Sequence, residues 1–454
     1  MLSTPTHSGL LSKAAITPEQ DKAIDALYEG NILLIAEAGF GKAMVGQTAC
    51  QELLADGHLK RILVVAPLGV CDLTWATEWQ KWEHLRQPAI ATGSAFRRSA
   101  LIESDAPIVV LNIENLAWFL KTYPEHNFDG LLVDEVSKFK AVTGATMKLL
   151  RWRLKEFNWR CAMTATPVNE SGTDIYTQVM IVDGGETLGR SQDRFRRNYF
   201  MQMDFKGYKW DFQHGGDVRL AEALKDVIFV ADGQDYTASL PKVKEVIIEV
   251  EMSEYTQAVY AEMANEMYIE IDDQESEAVN LAVMQGKLQQ ISNGFVYDSA
   301  GNPIVVDTDK DYYVEQWLAK KESLIIVYQW DFEKDYLREL GVPIFADDKA
   351  GIKAKWDTGK LHAIALHPKS ASHGLNLQDG GHTMLIMSPF WSSDNWEQIF
   401  SRIWRRGQRA KVCTRVVLVT KNSVEQLACN RLTGKKEKAG AFVKHLKHYS
   451  NLNK

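Results

Sequence analysis

Three residues beyond the apolar run Ile32-Leu33-Leu34-Ile35 stands Gly39-Phe40-Gly41-Lys42, a pattern suited to holding a phosphate. Glycines let backbone N–H groups curl round an anion with no Cβ in the way, and a lysine opening a helix adds its ammonium to the helix N-terminus. Gly39, Gly41 and Lys42 are therefore expected to bind the phosphates of a nucleotide. The pattern calls next for Ser or Thr, to ligate magnesium, and this chain has Ala43.

A second apolar run, Leu131-Leu132-Val133, ends in Asp134-Glu135. Beside a phosphate loop such a pair has a use: Asp134 holds magnesium, and Glu135 orients or deprotonates the attacking water. Elsewhere, Asp-Glu after an apolar run is mostly a solvated turn. Thr164-Ala165-Thr166-Pro167 closes another apolar run with hydroxyls suited to sensing the phosphate state. Upstream, Gln20 is a candidate adenine reader, because one amide pairs with both a donor and an acceptor. Far downstream, Gln398, Arg402 and Arg405 are spaced to share one face of a helix expected over residues 393–405.

The elements that must position these groups alternate. Thr17-Pro18 opens a helix, and short apolar strands are expected at 32–35, 61–66, 108–111, 131–133 and 161–164 with helices between them. One of those helices, 73–82, carries Trp75, Trp79 and Trp82, which read as core anchors rather than base-stacking groups. Alternation of this kind indicates a parallel sheet with ligands at the carboxyl ends of its strands. A second alternating region begins near Ser323, with strands at 324–328, 344–345, 363–366, 384–387 and 416–419. The expected class is α/β, with two lobes and a helical insertion between them. The expected division is a polar leader (1–15), a first lobe (16–185), a linking segment with a helical insertion (186–310), a second lobe (311–430) and a basic tail (431–454). Within the linking part, residues 194–210 mix aromatic and basic side chains, as a single-strand groove does, and equally as an exposed helix with a few core aromatics does.

Composition excludes several classes. Of 454 residues 45% are hydrophobic and 24% charged, as in an ordinary globular protein. No apolar run approaches the ~18 residues of a membrane span, and residues 1–13 lack a signal peptide's apolar core, so a cytoplasmic location is expected, the host cytoplasm for a bacteriophage-encoded chain. Five cysteines with no Cys-x-x-Cys pair argue against zinc and against a disulfide framework. The net charge is −7, yet residues 431–454 hold seven basic residues against the single Glu437, and all six charged residues of 402–415 are basic. A local basic surface on an acidic protein is one reading, and a solvated tail is the other.

Taken in order, the glycine loop, Asp134-Glu135, Thr-Ala-Thr-Pro, Gly374-Leu375-Asn376-Leu377 and the run Gln398 to Gln408 resemble the motifs of the Swi/Snf-like branch of superfamily-two ATPases, double-stranded DNA translocases with bacterial and bacteriophage relatives. The short length is most similar to the bacteriophage members. The resemblance covers about residues 18–430 and implies two RecA-like lobes with ATP and Mg2+ between them. It implies that Gln20, Gly39, Gly41, Lys42, Asp134, Gly374 and Gln398 serve the nucleotide, that Asp134 serves the metal, and that Glu135, Arg402 and Arg405 are catalytic, the arginines reaching across from the second lobe. It also implies duplex DNA, held by its phosphates, as the partner of a chain expected to be monomeric with no membrane association.

Three departures from the family pattern stand out: Ala43, Val136-Ser137 where many relatives have Ala-His, and Phe229-Val230-Ala231-Asp232 where an Arg-x-x-Lys is usual. Ala43 leaves Asp134 and water to hold the metal, which puts turnover, not nucleotide binding, in question. The leading expectation is an ATP-dependent DNA translocase. The alternative is a weakened ATPase acting as a nucleotide-, nucleic-acid- or protein-binding module, RNA polymerase being one conceivable partner. A strand-separating helicase shares the same engine but needs a wedge, for which the acidic stretch near Asp272 is poorly suited.

Overall fold

A computed structural model describes residues 10–141, 144–168, 172–204, 210–231, 240–272, 277–368, 376–391, 393–405, 407–430, 442–443 and 445–447. The chain divides into two units, residues 1–238 with 437–454, and residues 239–436. Each is built on an entirely parallel sheet.

In the first unit, helix α1 (Pro18–Glu29) starts at a capping box in which Thr17 and Gln20 bond reciprocally. Strand β1 (Leu33–Ile35) leads through the glycine loop into helix α2 (Lys42–Ala55). The remaining strands of this sheet are β2 (Ile62–Ala66), β3 (Ala89–Ala91), β4 (Ile108–Asn112), β5 (Gly130–Asp134), β6 (Trp159–Thr164) and, after a small hairpin of β7 (Phe200–Gln202) and β8 (Trp210–Phe212), β9 (Ile228–Val230). Their order is β3-β4-β2-β5-β6-β1-β9. Short runs of buried β-branched and leucine residues form these strands because both faces of the sheet are covered. Leu33, Leu63, Val65, Leu131 and Val133 enter one core, and Leu34, Ile62, Val64 and Leu132 enter the other. Gly46 lets α2 lie close on β5 and β6, since a Cβ there would meet Met163 Cε at 2.9 Å and Leu132 Cδ2 at 3.1 Å.

The stretch 186–310 contributes to both sheets. β9 joins β1 in register, Leu33 opposite Ile228 and Ile35 opposite Val230, so Phe229, at the Arg position of the usual Arg-x-x-Lys, is a buried core strand residue. Asp232 lies outside the described residues. Two aromatics of the 194–210 region, Phe195 and Phe200, are buried in the first core, which favours the exposed helix with a few core aromatics over a groove. At the other end of the chain, Phe442 and Leu446 are buried in that same core, with the Phe442 ring 5.1 Å from that of Phe212.

In the second unit, β10 (Lys242–Val250) pairs with the last strand rather than with a neighbour in sequence. The strands are β11 (Phe295–Tyr297) and β12 (Pro303–Val305), a separate hairpin, then β13 (Leu324–Val327), β14 (Ala363–Leu366), β15 (Thr383–Ile386) and β16 (Val412–Thr420). The sheet order is β10-β16-β15-β13-β14. The expected strand at 344–345 is only an isolated bridge from Ile344 to Ala365. Helices Glu254–Asp272 and Glu277–Ser292 form the helical stretch ahead of the hairpin.

A buried polar cluster fastens that second helix to the sheet. Lys310 Nζ donates to Glu425 at 2.7 and 2.8 Å, to Asn293 Oδ1 at 2.8 Å and to the Met387 carbonyl at 2.9 Å, and Glu425 also accepts from Asn293 and Ser388. Both charged side chains are almost fully buried. Removing one partner leaves the other charged and desolvated, so Lys310→Met should lower unfolding free energy by about 3–5 kcal/mol in a denaturant titration. The exposed pairing of Lys421 with Glu249 and Glu251 offers the contrasting case, in which substitution should barely move the transition.

Burial also pushes the Glu333 carboxyl up to about 7, although the Gln329 and Trp330 N–H groups donate to it at 2.6 and 3.1 Å. A folded-state value above the unfolded one means that the fold favours the protonated form. The stability this group contributes is therefore complete below about 4.5 and is lost as pH rises through about 7. The slope is at most about 1.4 kcal/mol per pH unit. Melting temperatures measured from pH 5 to 8 should fall less steeply in Glu333→Gln.

Candidate nucleotide-binding site

The first unit's candidate site lies at the carboxyl ends of β1, β5 and β6. β6 alone separates β1 from β5, so the loops that follow β1 and β5 start about 10 Å apart. The loop after β1 is held by Ala36 N–H donating to the Thr164 carbonyl at 3.0 Å and by a turn from Phe40 N–H to the Glu37 carbonyl at 3.2 Å. Gly39 and Gly41 take φ of +88° and +93°, the left-handed region that other residues enter only with strain. Gly41 caps α2, and Gln20 Nε2 would lie 2.8 Å from any Cβ placed there.

Gln20 has a second task beside the expected one. Its Oε1 accepts from Thr17 N–H at 3.0 Å and its Nε2 donates to the Phe40 carbonyl at 2.7 Å, which ties the start of α1 to the loop. One lone pair and one N–H of the amide remain. Lys42, nearly buried, turns its ammonium onto the loop carbonyls of Ala36 and Glu37 at 3.1 and 3.2 Å. Those neutral acceptors are weaker partners than an anion, so a phosphate entering the loop would draw the ammonium away from them.

Asp134 ends β5 and is 4% exposed. Its Oδ2 accepts from the Trp75 indole Nε1 at 2.9 Å, and its Oδ1 accepts from the Glu135 N–H at 2.9 Å. Burial, and then the neighbouring Glu135 carboxylate, push the Asp134 carboxyl up to about 6, against the pull of the Trp75 bond and the Lys42 charge. That the Lys42 charge is felt at Asp134 makes the glycine loop and the acidic pair neighbours. Glu135 has φ +54°, a left-handed conformation rare for a residue with a Cβ. Its Oε2 is buried with no hydrogen-bond partner. Ser137 Oγ, and Thr166 Oγ1 just beyond the end of β6, are also buried without a hydrogen-bond partner among the described residues.

The donor set fits an oxygen-loving divalent cation. A buried carboxyl raised by desolvation gains from a cation beside it, and magnesium needs only one or two carboxylates when phosphates and water complete its shell. Asp134 would hold it, and Ala43 supplies no hydroxyl. Among the described residues no group of three or more His, Cys, Asp or Glu gathers into a metal cluster.

The second unit brings its predicted residues together differently from the sequence expectation. The helix Ser393–Phe400 stops five residues before Arg405, so Gln398, Arg402 and Arg405 do not share a continuous helical face. Beyond Phe400 the chain tightens into shorter turns, Arg402 N–H donating to the Ile399 carbonyl at 3.2 Å and Ile403 N–H to that of Phe400 at 3.1 Å; the Arg402 carbonyl accepts from Leu377 N–H at 3.0 Å, and Gln408 Nε2 donates to the carbonyls of Ile403 at 3.1 Å and Gly381 at 2.9 Å. Arg405 Nη1 donates to Asn376 Oδ1, which joins the Gly-Leu-Asn-Leu and Gln-x-x-x-Arg-x-x-Arg segments. Gln398 Oε1 is buried with no hydrogen-bond partner among the described residues. Gly374 lies outside the described residues. Of the basic run, Arg409 and Lys411 are exposed, whereas Arg415 is buried against Glu245 at 2.8 Å and packs over the Trp396 and Phe400 rings. A cavity of about 970 Å³ in this unit, lined in part by Tyr297, Trp330, Phe332 and Asp331, contains none of the predicted site residues.

Trp75 is the functional contact that sequence reasoning missed. Its burial was expected, and buried indoles nearly always find an acceptor for their N–H. Nothing in the spacing named Asp134, 59 residues away, as that acceptor.

Residues 24–295, more than half of the chain, match the family model described as the SNF2-related domain. Over 88% of its length the chain is 28% identical to protein p41 of Acyrthosiphon pisum secondary endosymbiont phage 1, covering 92% of that protein. Over 87% of its length it is 22% identical to the uncharacterized ATP-dependent helicase YqhH of Bacillus subtilis, covering 73% of it. A solved structure similar to the chain is the Sulfolobus solfataricus SWI2/SNF2 ATPase core in complex with dsDNA, at 20% identity and a TM-score of 0.45, covering 98% of this chain and 96% of that one. Among the described residues no helix is long and apolar enough to cross a membrane.

Proposed function

The chain belongs to the SNF2-related domain family, and from that premise we propose that it is an ATP-hydrolysing translocase on double-stranded DNA. The observation that carries the ATPase half is the meeting of two elements in the first unit: a glycine cradle with Lys42 at the start of α2, and the buried Asp134 with Glu135 beside it at the end of β5. The similarity to a named ATP-dependent helicase over 87% of the chain supports both the nucleotide and the nucleic acid.

In this reading the Gly39 to Lys42 amides and the Lys42 ammonium bind the phosphates, and Gln20 reads the base with the capacity its amide retains. Magnesium, when bound, neutralises charge on the phosphates. Asp134, clamped by two donors, presents its remaining lone pairs to that cation. Glu135 holds Oε2 ready to accept a proton from, or to orient, the attacking water. Arg402 and Arg405 stabilise charge on the transferred phosphoryl group, with Gln398 and Gly374 assisting at the nucleotide. DNA is held by its phosphates, to which Arg409 and Lys411 contribute from the second unit.

The test is steady-state ATP hydrolysis with and without long duplex DNA. Stimulation by duplex is expected, and hydrolysis no faster than background in its presence would end the proposal. Contact with about five phosphates gives a log–log salt slope for duplex binding near −4.5. The second reading, a non-hydrolysing nucleotide- or partner-binding module, is favoured by Ala43 alone. Ala43→Thr should raise turnover about 10–100-fold and lower the magnesium needed, because a missing metal contact is restored. Robust duplex-stimulated turnover by the unaltered chain would exclude this second reading.

A further inference from the structure

We propose that Trp75 is a positioning residue for the metal, acting through Asp134, an inference that rests on the ATPase reading. Three observations carry it. The Trp75 side chain is completely buried, which by itself would satisfy a core role. Its Nε1 nevertheless reaches the carboxylate of the candidate metal ligand at 2.9 Å rather than a nearby carbonyl. Finally, its own backbone is tethered to the nucleotide-binding helix: Gln47 Nε2, on α2, donates to the Trp75 carbonyl at 3.3 Å.

The geometry has a direct consequence. A carboxylate on a short side chain can swing about its last bond, and a site with one protein carboxylate near the cation has no second ligand to restrain it. Here the indole N–H occupies one lone pair of Oδ2 and the Glu135 N–H one of Oδ1. Rotation of the group would break both bonds, so the free lone pairs are aimed before any cation arrives. Such preorganisation matters most in this chain, because Ala43 withholds the hydroxyl that would otherwise share the task. Since Gln47 ties Trp75 to α2, the aim of Asp134 is also registered to the helix whose first turn bears Lys42. Trp75 touches neither nucleotide nor water in this account; it acts only through the carboxylate.

The experiment separates a positioning role from a packing role. Fluorescent ADP is titrated into the full chain over a series of magnesium concentrations and, separately, in EDTA. Two substitutions are compared: Trp75→Phe, and replacement of Trp75 by benzothienylalanine, which keeps the ring shape and removes only the N–H donor. In both, the magnesium concentration for half-maximal binding should rise about 10–100-fold, while affinity in EDTA stays within about twofold. In an Asp134→Asn background the same replacements should add nothing further, as expected of residues that act in series. If Trp75→Phe fails to fold through lost ring volume, the benzothienylalanine protein alone decides. An unchanged magnesium requirement in that protein overturns the inference and leaves the ATPase reading standing. No magnesium-dependent nucleotide binding by the unaltered chain overturns both.

Discussion

Lys42→Ala should reduce nucleotide affinity and ATP turnover together, each by about 10²–10³-fold, the range seen when one preorganised donor to a developing or bound anion is removed. The reason lies in what the ammonium does on either side of binding. Without nucleotide it rests on the Ala36 and Glu37 carbonyls, bonds that water can replace at little loss. With nucleotide it makes charge-assisted bonds, roughly twice as strong as neutral ones, in a nearly dry pocket. The substitution therefore acts on the bound state far more than on the fold. Equilibrium binding of labelled ADP and an ATPase assay measure the two effects, and a melting curve checks that the fold survives. Undiminished affinity would place the nucleotide away from the glycine loop.

Glu135→Gln should behave differently. Turnover is expected to fall about 10²–10⁴-fold, the usual contribution of a positioned acid or base, with ADP affinity changed only a few-fold. The amide keeps the size of the side chain and the φ +54° backbone, so the strain is the same in both proteins. What disappears is a carboxylate oxygen that is buried and has no hydrogen-bond partner among the described residues. Its loss also removes a negative charge that raises the Asp134 carboxyl, so Asp134 should titrate lower in the variant. Single-turnover hydrolysis beside equilibrium binding separates the two effects. If the chemical step kept its rate, another group would be activating the water.

The contrast between these two residues and Trp75 explains how much of the site was open to reading. Lys42 and Glu135 announce themselves through contiguous residues, because a phosphate cradle needs its glycines, its lysine and its helix start side by side. The adjacent Asp134-Glu135 pair at a strand end is equally local. The strands themselves were legible for a related reason: a parallel sheet covered on both faces demands short unbroken apolar runs, and 62–66, 108–112 and 130–134 supply them. The end of the helix at Phe400 was less open, since residues 393–405 have a helical pattern and the tighter turns that follow it, Arg402 N–H to Ile399 and Ile403 N–H to Phe400, leave no mark in that pattern.

Sequence alone thus made legible an α/β chain with two alternating regions, and the glycine loop, the acidic pair and the glutamine-arginine segment on which the proposed nucleotide site rests. These rest on neighbours along the chain, where propensity, patterning and motif spacing act. Tertiary structure decided the rest: that residues 228–230 complete the first sheet, that Arg415 turns inward to Glu245, that Phe442 and Leu446 return to the first core, and that Asp134 accepts a hydrogen bond from an indole 59 residues away. Each of those depends on which buried polar or apolar group finds its partner once water is excluded. That choice is made by the packing of segments distant in sequence, and no local pattern encodes it.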